Sequence, residues 1–278
     1  ALQQFREEAP AYFRIPGHRF ERGLDEALNG ASLAAYDLSE AEGLDDLHHA
    51  EGVIAEAQRL AAETWKAKKT FFLVNGTTCG NEAMVLSSVK EGEKIIVPRN
   101  VHKSVLMGLI LCGATPVYVM PEYSTKWQMW GGVTPETIEK AFAETPDAKA
   151  VLLVSPTYYG LCSDLQAIAE ICHCHNAALL VDEAHGSHLY FSEQLPLGAL
   201  ESGADACAQS IHKTAGSFTQ SSFLSLGSGR LDEARVAANL QMVQSTSPSY
   251  LLMASLDAAR RGICLLYTSP SPRDRTRS

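Results

Sequence analysis

The chain has 278 residues, 46% hydrophobic and 20% charged, with a formal net charge of −9. That acidity argues against a nucleic-acid or anionic-membrane surface, and no apolar run approaches the roughly 20 residues a membrane-spanning helix needs. Seven irregularly spaced cysteines make no disulfide framework and suit a reducing compartment, so a soluble cytoplasmic protein is expected.

The chain begins at Ala1, without an initiator Met or a signal-peptide pattern. The start therefore reads as incomplete, which leaves an organellar targeting segment open. Residues 1–50 are loop-like and carry Pro16-Gly17-His18 and the string GLDDLHH at 43–49. They read as an arm packing over the domain or a partner. From there to residue 263, short apolar runs alternate with helix-period segments. Strands are predicted at 70–74, 94–98, 116–120, 150–154, 178–182, 206–210 and 222–226. Helices are predicted at 53–66, 81–90, 102–111, 135–144 and 165–175. Nearly continuous apolar strands alternating with helices predict an α/β fold with three α/β/α layers, whose mostly parallel seven-stranded sheet binds ligands beyond the strands' carboxyl ends.

The chemistry-bearing residues fall at such ends. Asn75-Gly76-Thr77-Thr78 follows the first strand and opens a helix, where unpaired N–H groups, the helix dipole and the threonine hydroxyls suit a phosphate. The same turn also serves as a plain helix cap. His102 follows the second strand and could stack on a ring or face solvent. Thr157, in the turn Ser155-Pro156-Thr157-Tyr158-Tyr159-Gly160, could reach a bound ring, while the two tyrosines either line a pocket or pack. Asp182 ends the fifth strand within DEAHG, with His185 three residues on. The string resembles a helicase box, but no Walker A sequence accompanies it. Lys213 follows the sixth strand in Ser210-Ile211-His212-Lys213. A lysine that can be desolvated and a fixed carboxylate on the neighbouring strand are what pyridoxal 5'-phosphate needs. The amine forms the Schiff base and the carboxylate keeps the pyridine nitrogen protonated. Cys172-His173-Cys174-His175 looks like a metal site, but residues one or two apart on a helix do not share a face, so no metal is expected.

Taken in order, NGTTCGN (75–81), PRNVHKS (98–104), SPTYYG (155–160), DEAHG (182–186), SIHKT (210–214) and STSPSY (245–250) resemble the large domain of the Orn/Lys/Arg decarboxylases. IPGH (15–18) and GLDDLHH fit as well. These are fold-type-I pyridoxal phosphate enzymes, similar in architecture to aspartate aminotransferase. The resemblance covers roughly residues 10–263. It implies that Lys213 carries the cofactor, Asp182 pairs with its ring nitrogen and His102 stacks on the ring. It assigns Thr77, Thr78, Ser210 and His212 to the phosphate. It also implies a homodimer or larger assembly with the site at the subunit interface, residues 245–250 near the partner's site, and decarboxylation of lysine, arginine or ornithine to its polyamine. The family's smaller C-terminal domain is absent. Transamination or another lyase step on the same cofactor is the alternative, and a non-catalytic dimerising fragment a second one. The segment 264–274, CLLYTSPSPRD, resembles the translation of a transposase sequencing-library adapter. Residues 264–278 are therefore expected to break the preceding helical pattern and stand outside the fold.

Overall fold

Side-chain alternation along the strands decides the layering. In β2 (Lys94–Pro98), β6 (Ala150–Val154) and β7 (Ala178–Asp182), almost every position is buried, so both faces of these strands must be covered. A computed structural model describes residues 45–268 and shows how. Ile96, Val151, Leu153, Leu179 and Val181 point into one core, and Ile95, Val97, Ala150, Leu152 and Leu180 into another. The first core is roofed by α1 (Val53–Thr64), α4 (Pro135–Glu144), α5 (Leu165–Cys174) and α8 (Tyr250–Thr268). The second is roofed by α2 (Gly76–Ser88), α3 (Lys103–Cys112) and α7 (Glu233–Val243). Three α/β/α layers result, as expected.

The main sheet adds β1 (Lys69–Leu73), β3 (Thr115–Val119), β8 (Ala206–Gln209) and β9 (Ser222–Leu226), in the order β1-β9-β8-β7-β6-β2-β3. Pairings from β8 through to β3 are parallel, and β9 runs antiparallel to both its neighbours. The mostly parallel seven-stranded sheet is therefore the one the alternation predicts. The helices start where their caps allow. Thr134 and Asp164 accept the Thr137 and Ala167 N–H groups at the heads of α4 and α5, and Pro135 occupies the first position of α4.

Some boundaries differ from expectation. α2 begins at Gly76 rather than at residue 81, because Gly76 turns the chain at φ +73° and the two threonines enter the first turn. α1 ends at Thr64 rather than 66, since Lys66 adopts a left-handed φ of 57°. A two-stranded hairpin, β4 (Tyr123–Ser124) and β5 (Met129–Trp130), was not predicted at all. α8 runs on through Cys264 to Thr268, so the helical pattern does not break at 264. Cys264 and Leu265 are good enough helix residues, and no breaker comes before Pro270. Residues 1–44, with IPGH and the start of GLDDLHH, and the tail 269–278 lie outside the described residues.

Two features hold α1 at its ends. Asp45, at the end of the arm, accepts the N–H groups of Asp46 and Glu51 on one oxygen and of Gly52, Ile54 and Ala55 on the other. Trp65 is fully buried, donates its indole N–H to the Ser187 carbonyl at 2.8 Å, and meets the rings of Phe191 and Phe223 edge-on at 5.2 Å each. It thus ties α1 to the loop that follows β7. Trp65→Ala should lower unfolding free energy by about 3–5 kcal/mol in urea titration. Trp65→Phe should cost less, chiefly the roughly 1–3 kcal/mol of an unpaired Ser187 carbonyl.

Candidate active site

The parallel strands deliver side chains to one rim. A cavity of about 500 Å³ opens there, lined by Thr77 at the head of α2, His102 at the head of α3, Thr157 after β6, Asp182 and His185 at and after β7, and Lys213 after β8. These six residues come from five strand ends spread over more than a hundred positions. Val154 and Ala184 add apolar wall, and Tyr158, Tyr159, Asn100 and Trp130 complete the mouth. The remaining three predicted residues do not line this cavity. Ser210 is buried beside it and shares a hydrogen bond of 3.1 Å with the Thr77 hydroxyl. His212 is buried with Nδ1 3.0 Å from the Ser221 carbonyl. Thr78 is exposed on the first turn of α2.

Asp182 forms the floor and is only 3% exposed. Its Oδ2 accepts from Asn81 Nδ2 at 2.8 Å and its Oδ1 from the Ala184 N–H at 3.2 Å. A carboxylate offers about four lone-pair sites, so it retains acceptor capacity toward the cavity. Burial pushes the Asp182 carboxyl upward, against the pull of the Asn81 amide, the Ala184 N–H and the Lys213 charge. Such a group is suited to a cationic N–H donor, which would relieve its desolvation.

Lys213 sits in α6 (Ile211–Thr214), one short helical turn after β8. It is half-buried, and burial pulls its ammonium pKa down while Asp182 pushes it up. Its Nζ lies 3.3 Å from His185 Nε2. His185 is held down at about 4, by burial first and then by the Lys213 charge. The imidazole is therefore neutral at physiological pH and accepts from the lysine.

At the opposite end of the cavity, no side chain caps the first turn of α2. Asn75, which would otherwise do so, spends its Oδ1 on the Ser245 N–H at 3.1 Å. The segment 245–250 is thus anchored beside the turn of its own chain, and its Ser245 carbonyl also meets His48 Nε2 at 2.9 Å. Uncapped amides, the paired Thr77 and Ser210 hydroxyls and the Lys213 amine, with the Asp182 carboxylate as acceptor, make a set of groups that fits pyridoxal phosphate. The structure brings in residues to which the sequence reading gave no role: Asn81, Asn100 and Trp130. Asn81 had a visible signal, since it closes the NGTTCGN string. Trp130 had only its place before Gly131-Gly132.

Cys172 to His175 are dispersed by their helix. Cys172 is buried in the core, Cys174 is exposed, His173 Nε2 meets Asp205 Oδ2 at 3.0 Å, and His175 stacks on Phe142 at 4.3 Å.

Residues 1–264 match a family model described as Orn/Lys/Arg decarboxylase, major domain. An arginine decarboxylase of Halalkalibacterium halodurans is 48% identical over 255 residues, which are 91% of this chain and 52% of that protein. An arginine decarboxylase of Bacillus subtilis is 43% identical over 263 residues, 94% of this chain and 54% of that protein. Among solved structures, lysine decarboxylase A from Pseudomonas aeruginosa superposes with a TM-score of 0.72 at 27% identity, over 93% of this chain and 39% of its own. The chain thus spans about half the length of the curated relatives it matches.

Directly behind the floor lies a second buried carboxylate. Glu183 accepts from the Ala199 N–H at 2.7 Å, from the Tyr190 hydroxyl at 2.8 Å and from Gln209 Nε2 at 2.8 Å. Burial pushes it up to about 7, with those donors pulling the other way. The folded state then holds a proton that the unfolded chain has released. The stabilisation is present below the unfolded value of 4.5 and is lost as pH rises to about 7. Glu183→Gln keeps the volume and removes the titration. Relative to the variant, the parent should lose stability across that window in urea titrations at stepped pH. Parallel pH curves for the two proteins would contradict the assignment.

Proposed function

The chain belongs to the Orn/Lys/Arg decarboxylase family, and from that premise we propose that it forms the cofactor-binding half of a pyridoxal phosphate-dependent decarboxylase acting on arginine. One observation carries the reading: the Lys213 amine and the Asp182 carboxylate line the same cavity from the ends of adjacent strands. The choice of arginine over lysine rests on the relatives, since four of those at 43–48% identity are named arginine decarboxylases, while one at 46% has no activity in its name.

When bound, the cofactor supplies an electron sink for the pair released from the broken Cα–carboxylate bond. The chain's own residues do the rest. Lys213 provides the amine that holds the cofactor, and burial makes that amine easier to deprotonate. Asp182 holds the ring nitrogen's proton, and its pre-positioned charge requires no reorganisation during reaction. His102 would cover the ring from the head of α3, and His185, neutral and beside Lys213, would stand near the ring oxygen. Thr77, Thr78, Ser210 and the first-turn amides of α2 hold the phosphate dianion, whose charge the helix dipole favours. A phosphate near His212 would offset the burial that lowers its pKa. Thr157 steadies the ring from the β6 side. Lys213 or a histidine of the site would return a proton to Cα.

The mouth of the cavity is open. Tyr158 and Tyr159 line it while remaining 79% and 61% exposed, which supports an active form in which a second subunit closes that wall. Residues 51–263 make the cofactor-binding domain. The thiols of Cys79, Cys112, Cys162, Cys172, Cys174 and Cys207 are unpaired, which supports a reducing cytoplasm. Among the described residues, no helix is long and apolar enough to cross a membrane.

Titrating pyridoxal phosphate into the chain should produce a visible absorption band that is missing in Lys213→Ala, and borohydride should fix the cofactor on the Lys213 peptide. In the full-length gene product, CO2 release from arginine should fall on the order of a thousandfold or more in Lys213→Ala. A keto acid in place of CO2 would favour transamination, and a folded full-length protein with no band would sink the reading.

A further inference from the structure

Asn81 and Ser104 lie outside the cavity lining, yet they connect two of its walls. Asn81 is 1% exposed and Ser104 fully buried, on α2 and α3 respectively. Asn81 Nδ2 has two hydrogens and gives one to Asp182 Oδ2 at 2.8 Å and one to Ser104 Oγ at 2.9 Å. The reverse amide orientation would set its oxygen against a carboxylate, so the direction of the donors is forced. Ser104 Oγ, accepting from Asn81, has its own proton to spend, and His102 Nδ1 lies 2.8 Å away. The Ser104 backbone N–H points to the same nitrogen at 3.3 Å. With two donors converging on Nδ1, that atom is an acceptor, and the ring proton resides on Nε2.

We propose that Asn81 and Ser104 are positioning residues, forming a hydrogen-bond relay of fixed donor directions, outward from Asn81, that fixes the His102 tautomer and the Asp182 carboxylate as one unit. The relay is expensive as mere scaffolding. Asn81 Oδ1 is buried with no hydrogen-bond partner, a cost an apolar side chain would avoid. What Asn81 supplies in exchange is two donors at once, to groups 101 and 23 residues away in sequence. The consequence for ligand binding rests on the proposed reading, in which His102 and Asp182 contact the same pyridine ring. A change at Ser104 would then be felt at the ring without touching it.

The test uses the cofactor-free chain with ¹⁵N-labelled histidine, the His102 signals being identified by their loss in His102→Gln. The neutral His102 ring should show a bare Nδ1 and a protonated Nε2. In Ser104→Ala, the Nδ1-protonated fraction should rise about tenfold, and pyridoxal phosphate should bind about tenfold more weakly. Ser104→Thr, which keeps the hydroxyl, should restore both. Asn81→Ala should shift the tautomer in the same direction and displace the visible band of the bound cofactor. A parent chain with the proton on Nδ1 would overturn the relay whether or not any variant folds. So would a folded Ser104→Ala whose His102 tautomer matches the parent's. If the parent shows the expected tautomer but no pyridoxal phosphate binding, the relay stands and the functional reading is the one that falls.

Discussion

A carboxylate buried at the end of β7 sets the terms for its surroundings. Leaving Asp182 charged in the interior is costly unless donors and a countercharge accompany it. Asn81 and the Ala184 N–H supply the donors, and Lys213, from the next strand, supplies the charge. That demand explains why a polar amide sits on the inner face of α2, where Met84 and Val85 otherwise pack. It also explains why the lysine is brought back toward β7 instead of reaching solvent. The parallel pairing of β7 and β8 makes this possible, because it sets Asp182 beside Ala208, five positions before Lys213.

Close packing holds that geometry. A Cβ added at Gly80 would come within 2.8 Å of Leu73 Cδ1 and 3.1 Å of Ala208 Cβ, so glycine lets α2 sit close on β1 and β8 without displacing them. Gly80 and Asn81 are neighbours. The first brings the helix down onto the sheet, and the second uses that closeness to reach Asp182. On the sheet's other face, Glu183 takes up the donors of Tyr190, Gln209 and Ala199. Consecutive carboxylates at the end of one strand are thereby turned to opposite sides, one into the cavity floor and one into the packing that supports the loop behind it.

The sheet was legible in the sequence because its signal is local. Runs such as AVLLV and ALLVD have no polar interruption, and the strands they form have the expected bounds at 150–154 and 178–182. The candidate site was largely legible too, since Asp182 ends one strand, Lys213 follows the next, and strand ends of a parallel sheet converge. Contacts between distant polar groups were not. The NGTTCGN string marks Asn81 but not its partners, nothing around Ser104 announces a bond to Asn81, and the hairpin at Tyr123–Trp130 is too short to show alternation. His212 illustrates a different gap. Its position beside Lys213 suggests a phosphate ligand, but nothing in the sequence tells how the ring is held, with Nδ1 bonded to the Ser221 carbonyl and Nε2 left over.

The antiparallel strand β9 has a consequence for synthesis. It separates β1 from β8, and Lys69 pairs with Leu226 while Leu73 pairs with Ser222. Among the described residues, β1 therefore has no hydrogen-bonded neighbour until some 150 further residues have been made. During that interval its apolar edge is open to aggregation and to capture by chaperones. The closing of the sheet is a late, non-local event, in which residues near 226 complete what residues near 70 began.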